Sequence, residues 1–357
     1  SERVKLIRGE KGTTVHLEIY RPSTEENLSF DVERQDITLP SVSHKMFEDG
    51  IGYVHIDSFE TETATQFEEA VKWTGKKREG KGNRYARKNT ERNRQEMSRK
   101  AKVTGRVLSQ RALAENIFDL KIQTDLADEA GAGQFVGVYP KDKSTLLPRP
   151  ISICEINKED SRLRVVYRVT GENTGTEEFS KLKTGDAIPI IGPLGNGFPF
   201  EAAEGKKVFL MGGGIGVPPI LELAKQMKCD KKQIVVGYRD AQTFLKEEFE
   251  QNGELYISTE NGSVGTTGNV MDAIRENGLE ADMIYACGPT PMLRAIKQYA
   301  EEHKIVCYIS LEERMACGIG ACLGCVCKTK EKDAHSNVCN KRICKDGPVF
   351  LATEVEI

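Results

Sequence analysis

The chain has 357 residues, of which 38% are hydrophobic and 29% charged, with a net charge of −3. That length predicts roughly two or three domains, and the near-neutral balance gives the chain as a whole no bias toward nucleic acid. The longest apolar stretch, VFLMGGGIGVPPIL, is broken by four glycines and two prolines, so no membrane span is expected.

No secretory signal is read at the N-terminus, and ten cysteines without one predict a reducing compartment, the cytoplasm. There, clustered cysteines bind metal or do redox chemistry rather than pair as disulfides. Charge is uneven along the chain. Residues 1–75 carry a net −7, residues 76–100 a net +8 and the remainder a net −4, which marks a boundary.

Residues 1–73 alternate. TTVHLEIYRP reads as a strand, NLSFDVERQDI as its antiparallel partner and GIGYVHIDSF as a further strand. TATQFEEAVKW has helical spacing, with Phe67, Ala70 and Val71 on one face. GTTVHLEIYRP, ITLPSVSHKMFEDGIGYVHIDSF and the helix resemble the stretch joining the PDZ domain to the protease core in C-terminal processing peptidases. The PDZ carboxylate-binding loop and the Ser/Lys pair of that family lie outside the resemblance, so this small α+β fragment is given no proteolytic function.

Residues 74–100 have almost no apolar side chains and read as a basic disordered linker. The alternative is a basic arm for nucleic acid, but only Tyr85 could stack on a base. Met97 and the residues after it read like the start of an independent protein.

From residue 101 the pattern changes. KVTGRVLSQRALAENIFDLKIQT, GQFVGVYP, PISICEI and LRVVYRVT predict short strands with turns between them, which suits a small antiparallel barrel over 101–200. Over 201–308, VFLMGG, IVVGYRD, LYISTEN and MIYACGP predict buried strands. They alternate with helices such as PPILELAKQM and PMLRAIKQYAEEH, the pattern of a parallel sheet with helices on its faces. A cysteine-rich segment fills 309–357.

GGGIGVPPI places Gly212, Gly213, Gly214 and Gly216 between a strand and a helix. Glycines let the backbone approach a phosphate, and Pro218 and Pro219 suit the first helical positions. Val217 breaks the strict dinucleotide fingerprint, so a plain tight turn would also account for the run. CGPTPML puts Cys287, Gly288 and Pro289 at the end of a later strand, and open α/β sheets bind ligands beyond the carboxyl ends of their strands. In the barrel, LPRPISI supplies Arg149, which can pair with a pyrophosphate, and Ser152, which can hydrogen-bond a ring nitrogen. Gly175 and Thr176 open a short helix, a second candidate phosphate site.

Cys317, Cys322 and Cys325 have the spacing C-x4-C-x2-C of plant-type 2Fe–2S proteins, which need one more cysteine downstream. Gly318, Gly320 and Gly324 permit an unusual backbone. Zinc, held more often by separated C-x2-C pairs, is the second choice. Spacing leaves Cys339 and Cys344 both open as fourth ligand. Cys327 is disfavoured by its closeness to Cys325.

Together these motifs resemble the ferredoxin-reductase family, in which a flavin-binding barrel precedes a nicotinamide-binding α/β domain. The resemblance implies that Arg149, Pro150, Ile151, Ser152, Val166, Tyr167, Arg168, Gly175 and Thr176 hold FAD, and that Cys287 lies near the nicotinamide. Ile151 stands where that family often has tyrosine, so stacking by that side chain is lost.

The ordered set RPIS, GPLGNGF, GGGIGVPP, CGPTPML, SLEERMACGIGACLGCVC and CKDGPVF is similar to the electron-transfer subunits of NAD-dependent dihydroorotate dehydrogenase, over about residues 97–357. That resemblance selects Cys344 as the fourth ligand. It implies an α/β plus β architecture: a ferredoxin-reductase-like barrel, a parallel nicotinamide-binding domain and a 2Fe–2S subdomain, preceded by the α+β fragment.

The implied function is electron transfer in pyrimidine biosynthesis. Dihydroorotate would be oxidised at FMN in a separate catalytic subunit, in a heterotetramer of two of each chain, with the cluster and FAD carrying electrons to NAD⁺. Neither nucleic acid nor membrane is an expected partner. The alternatives are a related flavin and iron–sulfur reductase subunit serving ferredoxin or a hydrogenase, and a zinc-stabilised binding module.

Overall fold

The computed structural model describes residues 10–21, 26–34, 41–46, 52–56, 63–78, 102–142, 147–332 and 338–357. The chain divides into two units, Ser1–Thr90 and Glu91–Ile357. Beyond Arg78, the expected linker lies outside the described residues.

In the first unit, β1 (Thr14–Arg21) and β2 (Glu26–Glu33) form an antiparallel hairpin. Its register sets Val15 opposite Val32, Leu17 opposite Phe30 and Ile19 opposite Leu28, so the alternating pattern gathers the apolar residues on one face. On the other face His16 Nδ1 lies 2.7 Å from Asp31 Oδ1, and Ser29 Oγ lies 3.0 Å from His16 Nε2.

A second hairpin pairs β3 (Val42–Met46) with β4 (Gly52–Ile56). Helix α1 (Thr63–Arg78) runs five residues past the expected boundary at residue 73. Its expected apolar face is only partly realised. Ala70 is buried, whereas Phe67 and Val71 are exposed. Hydrogen bonds turn the helix the other way: Ser41 and Val42 donate their N–H groups to Gln66 Oε1, and Ser41 Oγ lies 2.7 Å from Thr63 Oγ1.

The second unit opens with a closed six-stranded barrel. Its strands are β5 (Lys102–Ala114), β6 (Ile117–Gln123), β7 (Phe135–Val138), β8 (Arg149–Asn157), β9 (Arg162–Arg168) and β10 (Ala187–Leu194). They close in the order β10-β5-β6-β9-β8-β7. Alternate residues such as Val107, Leu120, Ile122, Val136, Ile153, Leu163, Val165 and Ile190 fill its interior. Between β9 and β10 stands the short helix α2 (Gly175–Ser180).

A seven-stranded sheet follows. It holds β11 (Lys207–Gly213), β12 (Lys231–Tyr238), β13 (Glu254–Thr259), β14 (Thr266–Thr267), β15 (Met283–Cys287) and β16 (Val306–Ser310), all parallel. Residues Val208–Met211 are buried on both faces of the sheet, as the continuous apolar run required. The helices are α3 (Pro218–Gln226), α4 (Lys246–Glu250), α5 (Val270–Glu276) and α6 (Thr290–His303).

The cysteine segment contributes a small hairpin, β17 (Val326–Lys328) with β18 (Asn340–Arg342). It also contributes β19 (Val349–Leu351), which pairs antiparallel with β16 and completes the edge of the large sheet.

Barrel and sheet are tied by a buried ion cluster. Arg164, on β9, donates to both carboxylate oxygens of Asp119 at 2.8 and 3.0 Å. It also donates to Glu248 of α4 at 2.6 and 3.0 Å. Lys225 of α3 reaches Glu155 of β8 at 2.7 Å. Glu222, also on α3, accepts the Ile156 N–H at 2.7 Å.

Candidate functional site

The strand order of the sheet brings two distant turns together. Gly212 on β11 is the direct neighbour of Cys287 on β15, so the GGGIGVPP and CGPTPML turns lie side by side at the carboxyl ends of their strands. The contact is close. A Cβ on Gly216 would lie 2.5 Å from the Cys287 carbonyl oxygen. Gly214 has φ +55°, where side chains are disfavoured. A Cβ on Gly213 would clash with the Met292 sulfur and come within 3.2 Å of Pro289.

Two cavities of about 220 and 290 Å³ open at these turns. Gly213 and Pro289 line the smaller, and Gly214, Tyr238, Arg168 and Arg239 line both. Cys287 itself is buried. Burial and the Glu312 carboxylate push its thiol up to about 12, and a hydrogen bond with Ser310 works the other way.

A larger cavity of about 670 Å³ lies where the barrel meets the start of the cysteine segment. Arg149, Pro150 and Ser152 on β8 form one wall. Ser310, Leu311, Glu312, Glu313, Arg314 and Met315 form another. Gly175 sits against Arg149: a Cβ there would lie 3.1 Å from the guanidinium Nε. Glu312 is raised above the ordinary carboxylate range by burial, against the attraction of Arg168.

These residues fit a flavin. The cavity is lined by Arg149, Ser152 and Ser310, and Ser310 pairs with Cys287 of the nicotinamide turn on the neighbouring strand. Sequence reasoning carried Ser310–Met315 within the motif SLEERMACGIGACLGCVC but gave them no role of their own, because a strand end followed by a charged loop shows its role only once the loop is placed against the barrel.

The other residues expected to hold FAD are placed differently. Ile151 is buried in the barrel core, because strand alternation turns it away from the wall that Pro150 and Ser152 form. Tyr167 is also buried in the barrel, between Phe118 and Phe179, and donates its hydroxyl to Gln110 Oε1 at 2.9 Å. Val166 packs into the core shared by barrel and sheet. Thr176 Oγ1 accepts the Thr170 N–H at 3.2 Å and braces the 170–176 loop. Arg168 lines the two smaller cavities rather than the large one.

Among the four expected ligand cysteines, N–H···S contacts link Cys317 with Cys322 and Cys325 with Cys344. Cys317 Sγ accepts the N–H groups of Ala321 and Cys322 at 3.2 and 3.4 Å. Cys344 Sγ accepts the Gly320 N–H at 3.1 Å, and Cys325 Sγ accepts the Cys344 N–H at 3.4 Å. Burial works to raise the Cys317 thiol, but the N–H groups of Ile319 and Cys322 outweigh it and bring the thiol down to about 7. Burial and Cys325 push Cys344 up to about 12.

Gly318 and Gly320 have positive φ, as expected. At the third position the left-handed residue is Leu323, and Gly324 instead makes room for the Cys322 sulfur 3.4 Å from where its Cβ would be. Cys327 points away, its thiol 3.5 Å from the Lys341 carbonyl, and Cys339 is exposed.

N–H groups aimed at sulfur stabilise thiolates and tune iron–sulfur centres, so the four cysteines suit a 2Fe–2S cluster. Among the described residues, no group of three or more His, Cys, Asp or Glu is arranged around a single metal ion.

Comparison with known proteins covers the same part of the chain. Residues 312–356 match the iron-sulfur cluster binding domain of dihydroorotate dehydrogenase B, and residues 210–298 match the oxidoreductase NAD-binding domain. The dihydroorotate dehydrogenase B (NAD(+)) electron transfer subunit of Caldanaerobacter subterraneus subsp. tengcongensis is 43% identical over 254 residues, 71% of this chain and 98% of that protein. Its counterpart from Geobacillus sp. (strain WCH70) is 44% identical over 257 residues, 70% of this chain and 96% of that one.

Among solved structures, an NADH-dependent reduced ferredoxin-NADP oxidoreductase studied for flavin-based electron bifurcation is similar. It aligns with TM-score 0.63 at 29% identity, covering 72% of this chain and 91% of that chain. The fold is thus ferredoxin-reductase-like, with a flavin-binding barrel, a nicotinamide-binding domain and a C-terminal iron–sulfur domain. With the glycine turns, the arginine-walled cavity and the four thiols in one unit, and relatives this similar along their whole length, the chain belongs to the family of dihydroorotate dehydrogenase B (NAD(+)) electron transfer subunits.

Proposed function

We propose that the chain carries electrons from dihydroorotate to NAD⁺ in pyrimidine biosynthesis, with dihydroorotate oxidised at FMN in a separate catalytic subunit. Two copies of each subunit form the working assembly, in the cytoplasm. When bound, FAD exchanges two electrons as a hydride or singly, and a 2Fe–2S cluster exchanges one.

The observation that carries this reading is the position of the 670 Å³ cavity. One wall holds Ser310, which pairs with Cys287 of the nicotinamide turn on the neighbouring strand, and Met315, two residues before Cys317. A flavin there has the dinucleotide turn on one side and the cluster loop on the other. Arg149 supplies charge for its pyrophosphate, and Ser152 and Ser310 supply hydroxyls for its ring. The thiols of Cys317, Cys322, Cys325 and Cys344 hold the cluster. Gly212, Gly213, Gly214, Gly216, Gly288 and Pro289 leave backbone room for the dinucleotide. Residues 1–96 are a fused fragment of processing-peptidase character with no part in this chemistry. Among the described residues, no helix is long and apolar enough to cross a membrane.

The test uses the purified chain with its cofactors. Alone it oxidises NADH with an artificial acceptor and leaves dihydroorotate untouched. With the FMN-containing subunit added, dihydroorotate reduces NAD⁺. Dihydroorotate oxidation by the chain alone would overturn the division of labour. A second reading, a reductase subunit serving ferredoxin, draws on the ferredoxin-NADP oxidoreductase likeness. It predicts rapid exchange with reduced ferredoxin and none with the catalytic subunit.

A further inference from the structure

We infer that Arg342 is a positioning residue for the iron–sulfur centre: it bonds the peptide group whose N–H points at the Cys317 sulfur, and so tunes how readily the cluster is reduced. The inference rests on the ligand set proposed above, Cys317, Cys322, Cys325 and Cys344.

Arg342 closes strand β18, two residues before Cys344. Its carbonyl accepts the N–H groups of Lys345, Asp346 and Gly347 at 3.1, 2.7 and 3.3 Å, which folds the chain after Cys344 back on itself. The Asp346 carboxylate holds the arginine in return. It accepts the Arg342 backbone N–H at 2.8 Å and the guanidinium Nε and Nη2 at 3.0 and 3.3 Å. Nη1 reaches the other way and donates to the Gly320 carbonyl at 3.1 Å. One side chain thus joins the two segments that bring the cysteines, the 317–325 loop and the 344–347 turn.

The atom it reaches decides the role. The Gly320 oxygen belongs to the peptide group whose N–H is that of Ala321, and this N–H donates to Cys317 Sγ at 3.2 Å. The N–H of Gly320 itself donates to Cys344 Sγ at 3.1 Å. A carbonyl that accepts a charged hydrogen bond polarises its peptide group, and the N–H at the far end becomes a stronger donor. Stronger N–H bonds to sulfur favour the more negative, reduced state of an iron–sulfur centre. Asp346 offsets much of the arginine's charge, so the guanidinium acts chiefly through the bonded peptide rather than through its bare field.

The same turn is gripped a second time, from the barrel. Asn196 donates its backbone N–H to the Gly347 carbonyl at 2.6 Å, and its side-chain amide to the Lys345 and Asp346 carbonyls at 3.3 and 3.0 Å. None of these bonds is to Gly320 or to a sulfur. Asn196 therefore separates a loosened turn from a lost peptide relay.

The test uses the full chain with FAD and the cluster loaded. Redox titration followed by electron paramagnetic resonance of the reduced cluster compares Arg342→Met, Arg342→Lys and Asn196→Ala with the wild type, beside iron and FAD content. Arg342→Met should make the cluster about tenfold harder to reduce, a shift of about 59 mV to lower potential, with FAD content and flavin potential unchanged. Arg342→Lys keeps the charge but cannot offer Asp346 and Gly320 a planar fork, and it should fall between. Asn196→Ala should keep the wild-type potential. A wild-type potential in Arg342→Met with iron retained would overturn the inference. If Arg342→Met does not retain iron, Arg342→Lys decides: a lowered potential supports the relay and a wild-type potential overturns it. An equal shift in Asn196→Ala would also overturn it, because the effect would then come from a loosened turn. A wild-type chain without a reducible iron centre would overturn the ligand set itself, and the relay with it.

Discussion

Gly216 and Cys287 are so close that a Cβ on residue 216 would lie 2.5 Å from the Cys287 carbonyl oxygen and 2.6 Å from the Cα of Gly288. Both obstacles are backbone and cannot swing aside. Gly216→Ala is expected to force the two turns apart, at about 1–3 kcal/mol of stability, the range for overpacking. KM for NADH should rise about tenfold, with FAD and iron content unchanged. Steady-state kinetics beside cofactor analysis would check this, and a variant with wild-type KM would show that the contact does not shape the dinucleotide site.

Iron analysis separates the downstream cysteines. Cys344→Ser should abolish iron binding while FAD stays, because the flavin cavity draws on β8 and the 310–315 segment. Cys327→Ser and Cys339→Ser should keep both cofactors, since one thiol points to the Lys341 carbonyl and the other is exposed. Iron lost with Cys339 and kept without Cys344 would reverse the assignment.

Glu222 gives a pH dependence with a definite sign. Burial raises its carboxyl above the ordinary value near 4.5, despite hydrogen bonds from Ile156 and Gln226 that work to lower it. The folded chain therefore holds that proton to higher pH than the unfolded chain does. Stability from this group is full at acid pH and declines as pH rises from the ordinary value through the raised one. Glu222→Gln removes the decline, because Gln226 can reverse its amide to match. The variant should gain stability relative to wild type above that window and not below it. Urea unfolding at pH 4 and pH 8 measures the difference, and an equal effect at both pH values would rule the mechanism out.

Arg164 is 4% exposed and faces Asp119, which is 2% exposed. Arg164→Ala should cost about 3–5 kcal/mol, because it leaves the buried Asp119 carboxylate with only the largely exposed Arg111 as partner. Replacing Arg164 and Asp119 together by apolar residues should recover much of that loss, as read by thermal unfolding.

A chain that begins at Met97 should keep FAD, the cluster and NADH-dependent reduction of an artificial acceptor. The curated relatives align with 70–71% of the chain, and the cofactor motifs lie beyond that residue. Loss of either cofactor in the shortened chain would give residues 1–96 a role.

Much of the architecture was legible because it follows from local pattern. Alternation marked the barrel strands, the apolar runs marked β11, β12, β13 and β15, and Pro218–Pro219 marked the start of α3. What was not legible depends on chain segments meeting in space. Ile151 and Tyr167 sit inside a family motif, but strand alternation turns both into the barrel, so a motif read as a block overstates how many of its side chains face a ligand. Glu312 and Ser310 gain meaning only once β16 lies beside β15. The antiparallel pairing of β19 was invisible because VFL is too short to show a period. In α1, the apolar spacing of Phe67 and Val71 pointed one way, but side-chain hydrogen bonds at Thr63 and Gln66 turned the helix another.

The edge formed by β19 links redox chemistry to colloidal behaviour. Its pairing with Tyr308–Ser310 covers the outermost parallel strand of the sheet, and β19 begins five residues after Cys344. The lobe that grips the iron is thus also a lid over a row of backbone hydrogen-bonding groups. Oxygen damage that loosens this lobe would uncover the lid's seat, with Ile309, fully buried in the intact fold, at its centre. Bare strand edges recruit other strands, so protein handled in air should grow turbid as its colour fades, and the remedy lies in protecting the thiols rather than in adjusting the surface.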